Sequence, residues 1–239
     1  RRADLLERAG VIFHRGADVG GEVGFDELRE KHDAVLVATG VYKAHELAVP
    51  GVGLGNIVQA LDYLVASNRK GLGDSVPTFD DGTLNAEGKR IVVIGGGDTA
   101  MDCGRTAVRQ GATAVRCLYR RDRANMPGSQ REVRHAEEEG VDFVWLSQPE
   151  AVLGDRTVSA VRTLRTHLAV ADASGRQPPV PIDGSQFNVD ADLVIKALGF
   201  EAEDLRSLFG CPELAVTRRG TIRIDYQSMM TNLDGVFAA

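Results

Sequence analysis

The chain has 239 residues, with 28 Lys or Arg against 34 Asp or Glu, a formal net charge of −6 and 43% hydrophobic content. That length holds one large domain or two ordinary ones around a real core. The acidic balance argues against general nucleic-acid binding, no apolar run approaches the ~20 residues that span a bilayer, and the charged opening RRADLLERAG lacks the apolar centre of a signal peptide. Cys103, Cys117 and Cys211 lie far apart and form no C-x-x-C pair, so neither an iron–sulfur nor a zinc site is expected within this segment. Reduced thiols in a cytoplasmic protein are the plain expectation. The five histidines have no ligand spacing, and no metal site is predicted.

In chain order, residues 5–10 read as a helix end closed by glycine, and 11–14 (VIFH) as a short strand. Residues 25–32 (FDELREKH) form an amphipathic helical turn, and 33–40 (DAVLVATG) a continuous apolar run that suits a strand covered on both faces. Helical spacing of apolar residues predicts a helix over 56–67, followed by a Gly-, Asp- and Pro-rich surface connection over 68–89. Then RIVVIGGGDTAMDCGRTAVRQGA gives a strand, a glycine bend, a helix and Gly111 as its stop. The next strand is 114–121, Ser129 and Glu132 frame a capping box that opens a helix closed by Gly140, and 141–146 is a further strand. A β-α-β-α-β run of this kind marks a Rossmann-like, doubly wound parallel sheet in the α/β class. Residues 158–170 read as an extended strand, 176–186 as a proline-rich turn within a hairpin excursion, and 191–200 (ADLVIKALGF) as the last strand.

Two stretches repeat one pattern. DAVLVATG at 33–40 and DLVIKALG at 192–199 share Asp, Val, Ala and Gly at fixed offsets. This predicts two related nucleotide-binding domains, each with such a strand. Two domains need two glycine bends, whereas only one follows a strand here, and the chain stops inside the apolar run DGVFAA. A segment of a longer protein is therefore expected.

Gly95, Gly97 and Ala100 fit G-x-G-x-x-G/A, with Gly96, Asp98 and Thr99 between them. The first glycine permits the tight turn, the second lets the backbone approach a pyrophosphate, and the alanine keeps the helix close to its strand. Free N–H groups at the helix N-terminus then bind the anion. Asp98 fits capping or a backbone bond better than phosphate contact, and Thr99 offers a hydroxyl; both also read as ordinary first-turn residues. An NAD site sets Asp or Glu at the end of the second strand, but here that strand ends in Arg120 and Arg121. Guanidinium groups suit the 2′-phosphate of NADP, each contact contributing roughly 1.5–3 kcal/mol. Asp122 keeps a ribose contact open, and a solvated basic loop is the plain alternative. Ala197, Leu198 and Gly199 fall at the sheet's carboxyl edge, where the nicotinamide is expected.

The stretches IGGGDTAMDCGRTAVRQGA, YRRDRANMPGSQREVRHAEEEGVDF and PVPIDGSQF, with DAVLVATGVY and more loosely VIKALGF, resemble the small (beta) subunit family of NADPH-dependent glutamate synthase and related iron–sulfur flavoproteins. The resemblance runs nearly end to end, and the 125–129 stretch NMPGS is its most specific part. It implies an NADPH domain inserted in an FAD-binding domain of the two-dinucleotide-binding flavoprotein type, incomplete in this chain. Residues 1–57 would belong to the FAD domain, 58–203 to the NADPH domain, and 204–239 to the return into the FAD domain. Val19, Ala38, Thr39 and Gly40 would line the FAD side, although a strand-end turn and a buried Val19 explain them equally. The resemblance further implies hydride transfer from NADPH to FAD, then electron transfer to 4Fe–4S clusters carried only in a region before this segment. It also implies the glutamate synthase large (alpha) subunit as partner, with neither nucleic acid nor membrane. Hydride transfer needs no side-chain acid or base, so no catalytic residue is named. An NADP(H)-binding module, or an electron-transfer subunit of a related complex with another acceptor, is the competing reading. A short-chain dehydrogenase is disfavoured because no Tyr-x-x-x-Lys occurs.

Overall fold

The computed structural model describes residues 2–173 and 175–239. The chain divides into two compact units: Ala44–Gly199, and the chain before Ala44 together with Phe200–Ala239. Hence the central unit begins at Ala44, earlier than the sequence pattern alone places it. Leu47, Val49, Leu54 and Ile57 pack into one of its cores, which pulls the whole approach segment inward.

The central unit is built on five parallel strands in the order Ile57–Gln59, Leu193–Lys196, Arg90–Ile94, Ala114–Leu118, Asp142–Val144. Alternation of side chains splits their apolar residues between two cores. Ile91, Val93, Val115, Cys117, Leu193 and Ile195 pack with Tyr63, Met101, Ala107, Val133 and Ala136 of three helices, Ala60–Gly71, Asp98–Arg109 and Gln130–Glu139. Val92, Ile94, Leu118 and Val194 pack with Val152, Val158, Val161 and Val189 of an antiparallel sheet. That second sheet runs Phe187–Asp190, Val158–Leu168, Ser147–Gly154, with Pro179–Pro181 also on Val158–Leu168. Both faces of the parallel sheet are thus covered, by helices on one side and strands on the other, which is why its strands read as unbroken apolar runs.

Ile57–Gln59 is a strand, not the first turn of a helix, and the helix starts at Ala60. Parallel pairing with Leu193–Lys196 outweighs the helical spacing there. Asn56, at φ 62, sets the entry, and its amide donates to the Asp192 carbonyl. The strand expected over 191–200 is shorter than the apolar run suggests, Leu193–Lys196, because only these residues of the run pair within the five-stranded sheet. Its start is fixed by Asp192, whose carboxylate accepts from Arg90 Nε at 3.0 Å and Nη2 at 2.8 Å.

The Ser129–Glu132 capping box is not closed. Ser129 is the N-cap of Gln130–Glu139, but its side chain makes no capping bond. Arg105 claims Glu132 at 2.6 Å, and also holds Glu139 through Nε at 2.8 Å. Gly140 ends the helix at φ 107, as a left-handed cap should. Hydrogen bonds from Arg109 and Arg105 hold the Glu139 carboxyl well below its usual range, at about 2. A depressed carboxylate stabilises the fold above its unfolded pKa near 4.5, and the gain is lost as pH falls toward about 2. Glu139→Gln is therefore expected to cost about 1 kcal/mol near neutrality and nothing at pH values below both pKa values, measured by urea unfolding across that range.

In the flanking unit, strand Val35–Val37 pairs parallel with Val236–Ala238. Helix Phe25–Lys31 anchors there through Phe25, which stacks on Phe209 with ring centroids 4.6 Å apart. The repeated pattern recurs in space: both copies form parallel strands, and their glycines, Gly40 at φ 69 and Gly199 at φ 87, both turn left-handed. The copies differ in cover. Ile195 is fully buried beneath helices, whereas its counterpart Leu36 is 63% exposed among the described residues. Residues 11–14 form no strand; they pair with no neighbour among the described residues, and Ile12 is 78% exposed.

Candidate functional site: a glycine bend at the carboxyl edge of the sheet

The bend lies between strand Arg90–Ile94 and helix Asp98–Arg109, and each of its three glycines answers to a different constraint. Gly95 has φ 151, and a Cβ there would overlap the carbonyl oxygen of Ala197 on the neighbouring strand exit. A Cβ on Gly96 would overlap the ring of Tyr119. Gly97 is the helix N-cap at φ −91, and a Cβ on it would meet nothing within 4 Å. The protein itself does not need that space. It opens over the start of a 12-residue helix whose N-terminus has no side-chain cap. Ala100 is 1% exposed against the sheet, where a larger side chain has no room.

The bend is tied on every side. Gly95 donates to Leu118 O at 3.2 Å, and the Cys117 thiol donates to Gly95 O at 3.3 Å. Burial pushes the Cys117 thiol up to about 12, so this cysteine is a packing group and not a nucleophile. Asp98 is bonded to backbone, one of the roles its sequence position suggests: its Oδ1 accepts from Ser129 N–H at 2.8 Å. Gly128 N–H donates to Gly96 O at 2.9 Å. The hydroxyl of Tyr119 donates to Asn125 O at 2.9 Å, and burial raises its pKa against the pull of Arg121, Arg120 and Arg176.

Arg120 is exposed and Arg121 half-buried beside the bend, and no ion pair engages either among the described residues. The Arg121 guanidinium lies 5.9 Å from the Tyr119 ring centroid, and its Nε is buried without a hydrogen-bond partner. Asp122 is used within its own loop: its Oδ1 accepts from Asn125 N–H at 2.9 Å and from Nδ2 at 2.7 Å, closing an Asx-type turn. Sequence reasoning missed Tyr119, Gly128 and Arg176. The 125–129 stretch signalled a relationship, but nothing in its spacing revealed that it folds back onto the glycines.

The other expected positions separate into two groups. Ala197 touches the bend, as described, while Leu198 packs into the core beneath the antiparallel sheet, and Gly199 O accepts from His45 N–H at 3.0 Å. In the flanking unit, Thr39 and Gly40 line an apolar cavity of about 260 Å³ with Val37, Leu205, Ile222 and Ile224. Ala38 is exposed, and Val19 packs against the Phe25 core, apart from that cavity. No group of His, Cys, Asp or Glu among the described residues is arranged to hold a metal, and no helix among them is long and apolar enough to cross a membrane.

A parallel sheet whose glycine bend opens a helix beside an arginine pair is the architecture of a dinucleotide-binding domain. The chain belongs to the pyridine nucleotide-disulphide oxidoreductase family, whose profile matches residues 6–239. It is similar to the glutamate synthase [NADPH] small chain of Azospirillum brasilense, 64% identical over 239 residues covering all of this chain and 50% of that protein. A putative glutamate synthase [NADPH] small chain of Cereibacter sphaeroides is 58% identical over 238 residues, covering all of this chain and 57% of that protein. The chain thus spans about half the length of these relatives. Among solved structures, Mycobacterium tuberculosis FprA in complex with NADPH shares the fold with a TM-score of 0.63 at 19% identity, covering 92% of this chain and 60% of that one. T. acidophilum thioredoxin reductase shares it with a TM-score of 0.59 at 19% identity, covering 86% and 56%.

Proposed function

We propose that the Ala44–Gly199 unit binds NADPH and that the protein carrying it is an NADPH-dependent flavoprotein oxidoreductase of the glutamate synthase small-chain kind. The observation that carries this reading is the open space at Gly97, over an uncapped helix N-terminus, next to two arginines that no ion pair engages among the described residues. The residues present fit the coenzyme. Gly95 to Ala100 offer backbone N–H groups and the helix dipole to a pyrophosphate. Arg120 and Arg121 supply cations just beyond the second strand, which ends at Leu118, in the region where a 2′-phosphate is read in this fold.

The coenzyme supplies hydride chemistry when bound; this chain's residues bind, orient and neutralise charge. For FAD, Thr39, Gly40 and the apolar cavity they line offer part of a site. Hydride transfer from NADPH to FAD, onward electron transfer to iron–sulfur clusters held elsewhere in the whole protein, a large-subunit partner that makes glutamate, and a cytoplasmic setting complete the proposal. The high identity to small chains named for NADPH supports it. The test is the whole protein as isolated: bound yellow flavin, with NADPH oxidised by an artificial acceptor and NADH used far less well. A colourless protein that oxidises neither coenzyme overturns the oxidoreductase reading and leaves a coenzyme-binding module.

A further inference from the structure

Residues 120–129 leave the arginine pair, turn at Asp122 and Asn125, and return to the glycine bend. Their return is specific. Gly128 donates to Gly96 O at 2.9 Å, Ser129 donates to Asp98 Oδ1 at 2.8 Å, and a Cβ on Gly128 would stand 3.1 Å from Gly96 O. Midway, Tyr119, whose ring covers Gly96, holds the loop through Asn125 O. Beyond the turn, Gln177 accepts from Asn125 Nδ2 at 3.3 Å. The carboxylate of Asp98 therefore accepts the N–H of Ser129, the N-cap of the second helix, Gln130–Glu139, taking the part that the Glu132 side chain plays in a closed capping box. This bond also gives a negative group in the first turn of the coenzyme helix a fixed partner beside the expected pyrophosphate.

We propose that Asp98 and Gly128 form a clasp that sets the glycine bend for the diphosphate, making them positioning residues and the 120–129 loop one coenzyme-binding element with two ends. The arginine end reads the 2′-phosphate; the glycine end shapes the diphosphate cradle. The proposal rests on the coenzyme reading above. It makes a prediction opposite to simple electrostatics. If Asp98 merely repelled the diphosphate, removing its charge by either Asn or Ala would tighten binding equally. In a clasp, Asn keeps an Oδ1 acceptor for the Ser129 N–H and Ala does not.

The test measures dissociation constants of NADPH and of 2′-AMP, which lacks the diphosphate, in the intact protein and in Asp98→Asn, Asp98→Ala and Gly128→Ala. Asp98→Ala is expected to bind NADPH roughly tenfold more weakly than Asp98→Asn, the loss of one charge-independent hydrogen bond and the register it holds. Gly128→Ala is expected to weaken NADPH by a similar factor relative to the unsubstituted protein. The affinity for 2′-AMP stays the same throughout, a separation that general unfolding does not produce. Equal NADPH affinities for Asp98→Ala and Asp98→Asn, or parallel losses of NADPH and 2′-AMP, overturn the clasp while leaving the coenzyme site standing. An unsubstituted protein that binds neither ligand overturns the coenzyme reading and the clasp with it.

Discussion

Gly97→Ala is expected to leave the fold intact and to weaken NADPH roughly a hundredfold or more, whereas Gly95→Ala damages fold and binding together. At Gly97 the backbone is at φ −91, ordinary for alanine, and the added methyl meets no protein atom within 4 Å. Its cost to stability is that of a poorer N-cap, about 1 kcal/mol. The methyl instead fills the approach to the helix N-terminus, so the diphosphate stands off from the N–H groups that would bind it. At Gly95 the backbone is at φ 151 and the methyl overlaps the Ala197 carbonyl. Relief requires moving either the bend or the end of strand Leu193–Lys196, at about 3 kcal/mol. Thermal unfolding beside coenzyme titration separates the two: a Gly97→Ala midpoint lowered by only about 2–4 °C, with lost affinity, is the expected pair. A Gly97→Ala variant that binds NADPH normally shows that the open space holds no phosphate.

Converting Arg120 and Arg121 together to alanine is expected to erase a coenzyme preference of a hundredfold or more, at roughly 1.5–3 kcal/mol for each charge-assisted contact. NADPH affinity falls, NADH affinity changes little, and their ratio approaches one. The two residues share the work unequally. Arg120 is exposed, so binding must freeze rotamers that are free in water. Arg121 is half-buried, held at 5.9 Å from the Tyr119 ring centroid, with a buried Nε that no protein group satisfies. An oriented guanidinium loses less entropy on binding than a free one, so Arg121→Ala alone should account for the larger part. Added salt should narrow the preference, because the exposed contact is screened. A preference for NADPH that survives the double substitution places the 2′-phosphate elsewhere.

The sequence was most legible where one local signal sufficed. The strand, bend and helix at 90–109 were readable because three glycines between an apolar run and a helix start leave few alternatives. Asp98 was readable as a backbone-bonding residue, but not its partner, since Ser129 lies 31 residues away. The strand Ile57–Gln59 was misread because its edge position exists only through pairing with Leu193–Lys196, far along the chain. The capping box failed for the same kind of reason: Arg105, on another helix, offers Glu132 a stronger partner than the backbone does.

By itself, then, the order of residues determined the α/β class, the place of the glycine bend, the basic residues after the second strand, and a repeated strand pattern that ends in glycine in both copies. These follow from chain-local chemistry: apolar periodicity, glycine's access to positive φ, and the charge at a strand end. Only the tertiary structure decided that a strand layer covers one face of the sheet, that Asp122 bonds Asn125, and that the 125–129 stretch folds back to grip Gly96 and Asp98. Each of those depends on which distant groups meet. Hydrogen bonds and ion pairs go to the nearest well-oriented partner in space, and sequence spacing does not encode that distance.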